Sequence, residues 1–141
     1  MSEEQLRRAA AVLDSYRGQL EALSRQSEVV RVSLDEYRRA RETVVRYREA
    51  GAGKEVLLPV GADSFVRATS TDPEKVLTSI GSDLVIEDSA ENTAKRLEAR
   101  IESLEKAASA VSTRMGEVQS RADAQSAAVE ELYAKTQGEP R

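Results

Sequence analysis

Apolar residues recur along the first third of the chain at heptad spacing. Leu6, Leu13, Leu20 and Leu34 share one position, and Ala9, Tyr16, Leu23, Val30, Tyr37 and Val44 share another. A stripe of this kind gives a helix one narrow apolar seam and calls for a coiled-coil partner. Ser2 and Gln5 offer a capping box ahead of it, and Gly51-Ala52-Gly53 ends it by loss of helix propensity. The spacing predicts a helix over 3–49. A second stripe carries Ala94, Ile101, Ala108, Met115, Ala122 and Val129 with Leu97, Leu104, Val111, Val118 and Leu132. Asp88, with Glu91 three residues later, reads as its N-cap. The second helix is expected over 89–135, with 136–141 as a disordered tail.

Stripes of equal length invite antiparallel pairing. Each arm of roughly 46 residues, at about 1.5 Å per residue, would reach about 70 Å. Leu6 would then lie opposite Leu132, with both termini at the end away from the insert. Alanines fill alternate positions of the second stripe, and Ser27, Arg41 and Gln125 interrupt the pattern. The helices can therefore approach closely but bury little area per turn, which predicts a firm base and a looser terminal end.

Between the stripes the period changes. β-branched residues and turn signals predict four short strands over 55–60, 64–69, 75–80 and 84–87. Gly61-Ala62-Asp63 and Gly81-Ser82-Asp83 supply the turns of two hairpins, and Thr71-Asp72-Pro73 joins them. The fold class is mainly α with a small β insert over 54–88: a long antiparallel two-helix coiled coil whose helices are joined by two β-hairpins, the whole chain forming one subunit. Four strands with one Phe and a few aliphatic residues cannot cover both faces and both edges of their own sheets. Oligomerisation through this insert is expected, with Val56, Leu58, Val60, Phe65, Val66, Val76, Ile80, Leu84 and Ile86 buried against other chains.

Composition sharpens the picture by exclusion. Charged residues make up 33% of the chain and aromatic residues 4%, which rules out a wide, deep core but allows a thin seam. A net charge of −4 argues against binding nucleic acid through its phosphates, and Arg38, Arg39 and Arg41 read as a solvated helix face. With neither Cys nor His, the chain lacks thiolates, imidazole bases and the commonest zinc ligands. The longest aliphatic run, Val56-Leu57-Leu58, stops at Pro59, and the N-terminus Met1-Ser2-Glu3-Glu4 is acidic. No signal peptide, membrane span or membrane partner is expected, and the chain reads as cytoplasmic.

No constellation of residues suggests catalysis. Gly61-Ala62-Asp63-Ser64 lacks the Gly spacing, the Lys and the following helix of a phosphate loop. Asp63, Asp72, Asp83, Glu87 and Asp88 fall in separate turns and match no calcium-loop spacing. The serines lack a His to activate them. The chain reads as non-enzymatic, with no cofactor and no metal. Near the termini Leu6, Val12, Leu13, Val129, Leu132 and Tyr133 either complete the seam or are partly offered to a bound protein.

The order helix, two hairpins, helix resembles the α-class subunit of prefoldin. The resemblance is carried by Leu58-Pro59-Val60-Gly61-Ala62-Asp63-Ser64-Phe65-Val66 and by the second hairpin from Lys75 to Glu87. It implies a hetero-hexamer of two α-class and four β-class subunits, whose strands form a double β-barrel platform. It also implies an ATP-independent chaperone that captures non-native polypeptides at the coil tips and delivers them to a cytosolic group II chaperonin. The rival reading is a structural coiled-coil scaffold or docking rod without affinity for unfolded protein. A rod has little use for two hairpins between equal arms.

Overall fold

The computed structural model describes residues 2–138. Helix α1 spans Ser2–Ala50, strands β1 to β4 span Glu55–Gly61, Ser64–Thr69, Lys75–Gly81 and Leu84–Ser89, and helix α2 spans Ala90–Gly138. Two long helices thus flank two antiparallel hairpins, the expected fold class. Helix α2 continues three residues beyond the expected end at Lys135. Of the expected disordered tail, 136–138 are helical, and 139–141 lie outside the described residues.

The chain forms two compact units, one from Met1–Val32 with Glu105–Arg141 and the other from Ser33–Leu104. In the first, the seam buries Leu13, Val111, Val118 and Ala122, with Val118 fully enclosed. Gln125, a polar interruption of the stripe, donates from Nε2 to the Ala9 carbonyl oxygen at 2.9 Å. In the second unit Leu34, Ile101 and Leu104 are buried. Arg41 forms an ion pair with Glu98, and the Arg100 guanidinium lies 5.8 Å from the centre of the Tyr37 ring. Rising numbers on α1 meet falling numbers on α2, so the helices run antiparallel there. Arg41 therefore sits in the seam without an unpaired charge, because Glu98 answers it across the pair.

Both hairpins are closed by two-residue turns in which each central residue has positive φ. The values are 50° and 58° for Ala62 and Asp63, and 51° and 60° for Ser82 and Asp83. This is the turn whose twist matches that of paired strands, and Asp tolerates it better than most residues. Pro59 pairs with Phe65 and Gly61 with Ser64, so Val60 is an extra, bulged residue; Ile80 is its counterpart between Ser79 and Gly81. The glycines that follow the bulges hold φ of 103° and 95°, a region other side chains avoid.

The two hairpins are copies of one design offset by 20 residues. Glu55 pairs with Thr69 and Lys75 with Ser89, and every later rung follows the same offset. Even the bonds beyond the strands repeat: Ser70 N donates to Lys54 O at 2.9 Å, and Ala90 N donates to Glu74 O at 2.7 Å.

The junctions explain how the helices feed the strands. Gly51, with φ of 80°, stops α1, and its amide donates to Arg48 O. Buried Ser70 donates its hydroxyl to Gly51 O at 2.9 Å and accepts from Lys54 N at 3.1 Å. At the start of α2, Asn92 N donates to the Ser89 hydroxyl at 3.0 Å, which makes Ser89 the N-cap in place of the expected Asp88. Asp88 acts one step back, where its Oδ1 accepts from Ser89 N and from the Asn92 side chain.

Candidate assembly and client-binding surfaces

The hairpins present exposed apolar side chains on both faces. On one face of the first hairpin, Leu57 and Phe65 are 61% and 59% exposed; on the other, Leu58 and Val66 are about half exposed. The second hairpin repeats this with Leu77 and Val85 on one face and Ile86 on the other. Val60, Ile80 and Leu84 are also exposed beside the turns, whereas Val56 and Val76 are half-buried. Val56 lines a shallow groove with Thr43, Tyr47 and Ala50 at the end of α1.

Each hairpin is a separate two-stranded sheet, so every strand keeps one unpaired edge. A two-stranded sheet with open faces is marginal in water unless further strands or a packing surface complete it. The arrangement suits strand addition and burial of the apolar faces by other chains.

Leu57, Leu77 and Val85 belong to this surface although the sequence pattern did not single them out. The expected residues of the first hairpin's ladder, Val56, Leu58 and Val66, lie on one face, and Phe65 alone lies on the other. The 20-residue repeat would have found the missing three, since it maps Phe65 onto Val85 and Leu57 onto Leu77.

The terminal surface lies in the other unit. Val12 and Tyr133 are exposed, at 42% and 56%, while Leu6, Val129 and Leu132 are half-buried in the helix pair. Of the two readings open for Leu13, seam or offered surface, the structure favours the seam. At 7% exposure it is a seam residue, and a side chain enclosed between two helices cannot offer surface to a bound protein. Val29 and Val32 add exposed apolar area on α1, 66% and 52%, outside the heptad positions.

The rest of the helix surface is charged and locally paired. Arg8 meets Glu4, Arg46 meets Glu42 and Lys95 meets Glu91, each four residues apart. A hydrogen bond from Arg31, reinforced by its charge, holds the exposed Glu28 carboxyl below the usual range. Among the described residues no three His, Cys, Asp or Glu side chains are placed to hold a metal ion, and no helix is long and apolar enough to cross a membrane.

The fold and its open hairpins place the chain in the class of two-helix coiled-coil subunits with a β insert. Comparison with known proteins specifies the family. Residues 16–135 match the family model described as prefoldin subunit, and the chain belongs to the prefoldin family. It is 32% identical over 131 residues to prefoldin subunit alpha of Methanospirillum hungatei, covering 90% of this chain and 85% of that one. It is 30% identical over 105 residues to prefoldin subunit alpha of Methanopyrus kandleri, covering 74% and 67% of the two chains. Among solved structures, filamentous PFD from Methanocaldococcus jannaschii superposes with a TM-score of 0.65 at 24% identity, covering 87% of this chain and 96% of that one. The prefoldin beta subunit of Thermococcus strain KS-1 gives 0.61 at 17% identity, covering 90% of each.

Proposed function

We propose that this chain is the α-type subunit of a prefoldin assembly that holds non-native polypeptides without ATP. The single observation that carries the reading is the pair of open hairpins. They expose apolar faces and unpaired edges that a finished protein would not leave uncovered, and a prefoldin assembly supplies the missing strands.

In this reading the hairpins join this chain to β-class subunits, two α with four β. The Val12 and Tyr133 surfaces, with Leu6, Val129 and Leu132, touch apolar segments of an unfolded client. Unfolded chains have no fixed shape, so several weak contacts from separate subunits serve better than one pocket. The Ala-rich seam supports this, because it buries little area per turn and lets the terminal ends adapt. The held client then passes to a group II chaperonin. This is a cytoplasmic role without a catalytic residue, cofactor, nucleic acid or membrane.

Native mass spectrometry of the tagged chain recovered from its own cytosol tests the reading. A complex with two copies of this chain and four of a shorter coiled-coil subunit is the expected result. A lone homodimer would favour a structural rod.

A further inference from the structure

Arg96 and Arg100 stand about one helical turn apart on α2, and neither has an acidic neighbour on its own helix. Positions three and four residues away hold Asn92, Thr93, Ala99 and Arg100 for the first, and Arg96, Leu97, Ser103 and Leu104 for the second. Cations at this spacing repel one another, whereas Lys95 and Arg8 are answered at the same spacing by Glu91 and Glu4.

The fold does little to make up the difference. Arg96 Nη2 lies 3.9 Å from Asp88 Oδ2 and 3.4 Å from the Thr93 hydroxyl, both at the outer limit of a contact. The other carboxylate oxygen of Asp88 is held by the Ser89 amide and the Asn92 side chain. Arg100 has the Tyr37 ring at 5.8 Å as its partner and forms no ion pair among the described residues.

Both arginines border one cleft of about 280 Å³, lined by Tyr37 of α1, Thr78 of β3, and Thr93, Arg96, Leu97 and Arg100 of α2. No carboxylate lines it. Thr93 is buried, and Tyr37, Thr78 and Leu97 are half-buried, so they form the floor while the exposed arginines form the rim.

Such a cleft combines three chemistries. The arginines call for an oxyanion, because planar guanidinium groups hold a carboxylate through charge-assisted bonds about twice as strong as neutral ones. Leu97, the Tyr37 ring and the threonine methyl groups call for a short apolar side chain. The two hydroxyls can bond an amide. At about 280 Å³ and open to solvent on one side, the cleft is too small and too open to enclose a cofactor-sized molecule. It suits the end of something longer, whose remainder leaves through the open side. The last residue of a polypeptide carries carboxylate, side chain and amide nitrogen on a single carbon.

We propose that this cleft binds the C-terminal residue of a polypeptide. Arg96 and Arg100 hold its carboxylate, Leu97 and Tyr37 take an apolar side chain such as that of leucine, and Thr78 and Thr93 bond its amide. The cleft belongs to the unit Ser33–Leu104, whereas Val12 and Tyr133 belong to the other, so this site stands whether or not the terminal surface binds clients.

The probe is the dipeptide acetyl-alanyl-leucine. It is titrated into the full-length chain, in the assembly in which it is purified, with threonine and leucine methyl groups labelled for NMR. The controls are its C-terminal amide, which lacks the charge, isocaproate, which is leucine without its amino group, and inorganic phosphate. The methyl signals of Thr78, Thr93 and Leu97 are expected to shift and saturate with the dipeptide acid, while those of Leu6 and Leu132 stay in place. Amidation, Arg96→Gln and Arg100→Gln should each weaken binding about tenfold or more, the loss expected for a hydrogen bond to a charged group. Circular dichroism and the assembled mass check that both variants keep the fold.

Equal binding of acid and amide, or no shift of the cleft signals, would overturn the proposal. Isocaproate or phosphate binding as tightly as the dipeptide would give the cleft to a free small acid and overturn the chain-end assignment. Shifts confined to Leu6 and Leu132 would support the terminal client surface and overturn this one.

Discussion

The side-chain amide of Gln125 donates to the carbonyl oxygen of Ala9 across the helix pair, at 2.9 Å. A polar residue at a seam position costs burial energy but fixes which residues of the two helices face each other. This matters most where the seam is thin, because alanine layers tolerate sliding. Gln125→Ala is expected to destabilise the terminal unit by about 0.5–1.5 kcal/mol. Hydrogen exchange should quicken around Ala9 and Gln125 and stay unchanged in the hairpins.

Ser70 carries the junction between α1 and the first hairpin. Its hydroxyl is buried and bonded on both sides, to Gly51 O and from Lys54 N. Ser70→Ala leaves both groups without this partner and is expected to cost about 1–3 kcal/mol. Thermal denaturation should report it as a lowered midpoint, and assembly should persist at lower temperature.

Phe65 and Val66 point to opposite faces of β2, and both are about half exposed in the single chain. A carboxylate at either position therefore costs the isolated chain little, whereas the proposed assembly surface requires at least one of them to be buried. Phe65→Asp or Val66→Asp should leave helicity by circular dichroism unchanged while the assembled mass is lost. Hexamers that survive both changes would contradict the assembly surface.

Val12 and Tyr133 test the terminal surface in the same way. Both are exposed, so Val12→Asp with Tyr133→Asp should leave fold and assembled mass intact. Loss of two apolar contacts of about 1 kcal/mol each should weaken client binding on the order of tenfold or more. Light scattering from an aggregating client measures this, and equal protection by the variant would remove these residues from the binding surface.

How much of this was legible in the sequence follows from the size of each signal. The seams were readable because a heptad stripe repeats many times over one helix, and Leu34, Ile101, Leu104, Val111 and Val118 are all buried where it placed them. The turns were readable because Gly-Ala-Asp and Gly-Ser-Asp supply residues that tolerate positive φ.

Single-residue features were harder. Asp88 and Ser89 are both good caps, and only the geometry shows the Asn92 amide turning to Ser89. The bulges at Val60 and Ile80 break the two-residue period near the turns, and the faces that carry Leu57 in the first hairpin and Leu77 and Val85 in the second were not legible from it. Leu13 could not be assigned to seam or surface by pattern, since an apolar residue near a helix end suits both. Its burial depends on how closely α2 approaches, which no property of Leu13 itself encodes.

The most direct test of the chaperone role is to dilute a chemically unfolded protein into the purified assembly containing this chain, without nucleotide, and to follow light scattering. Suppressed scattering that rises again with the Val12→Asp, Tyr133→Asp assembly is the predicted result. Unchanged aggregation in the presence of the intact assembly would contradict the role and leave a structural coiled coil in its place.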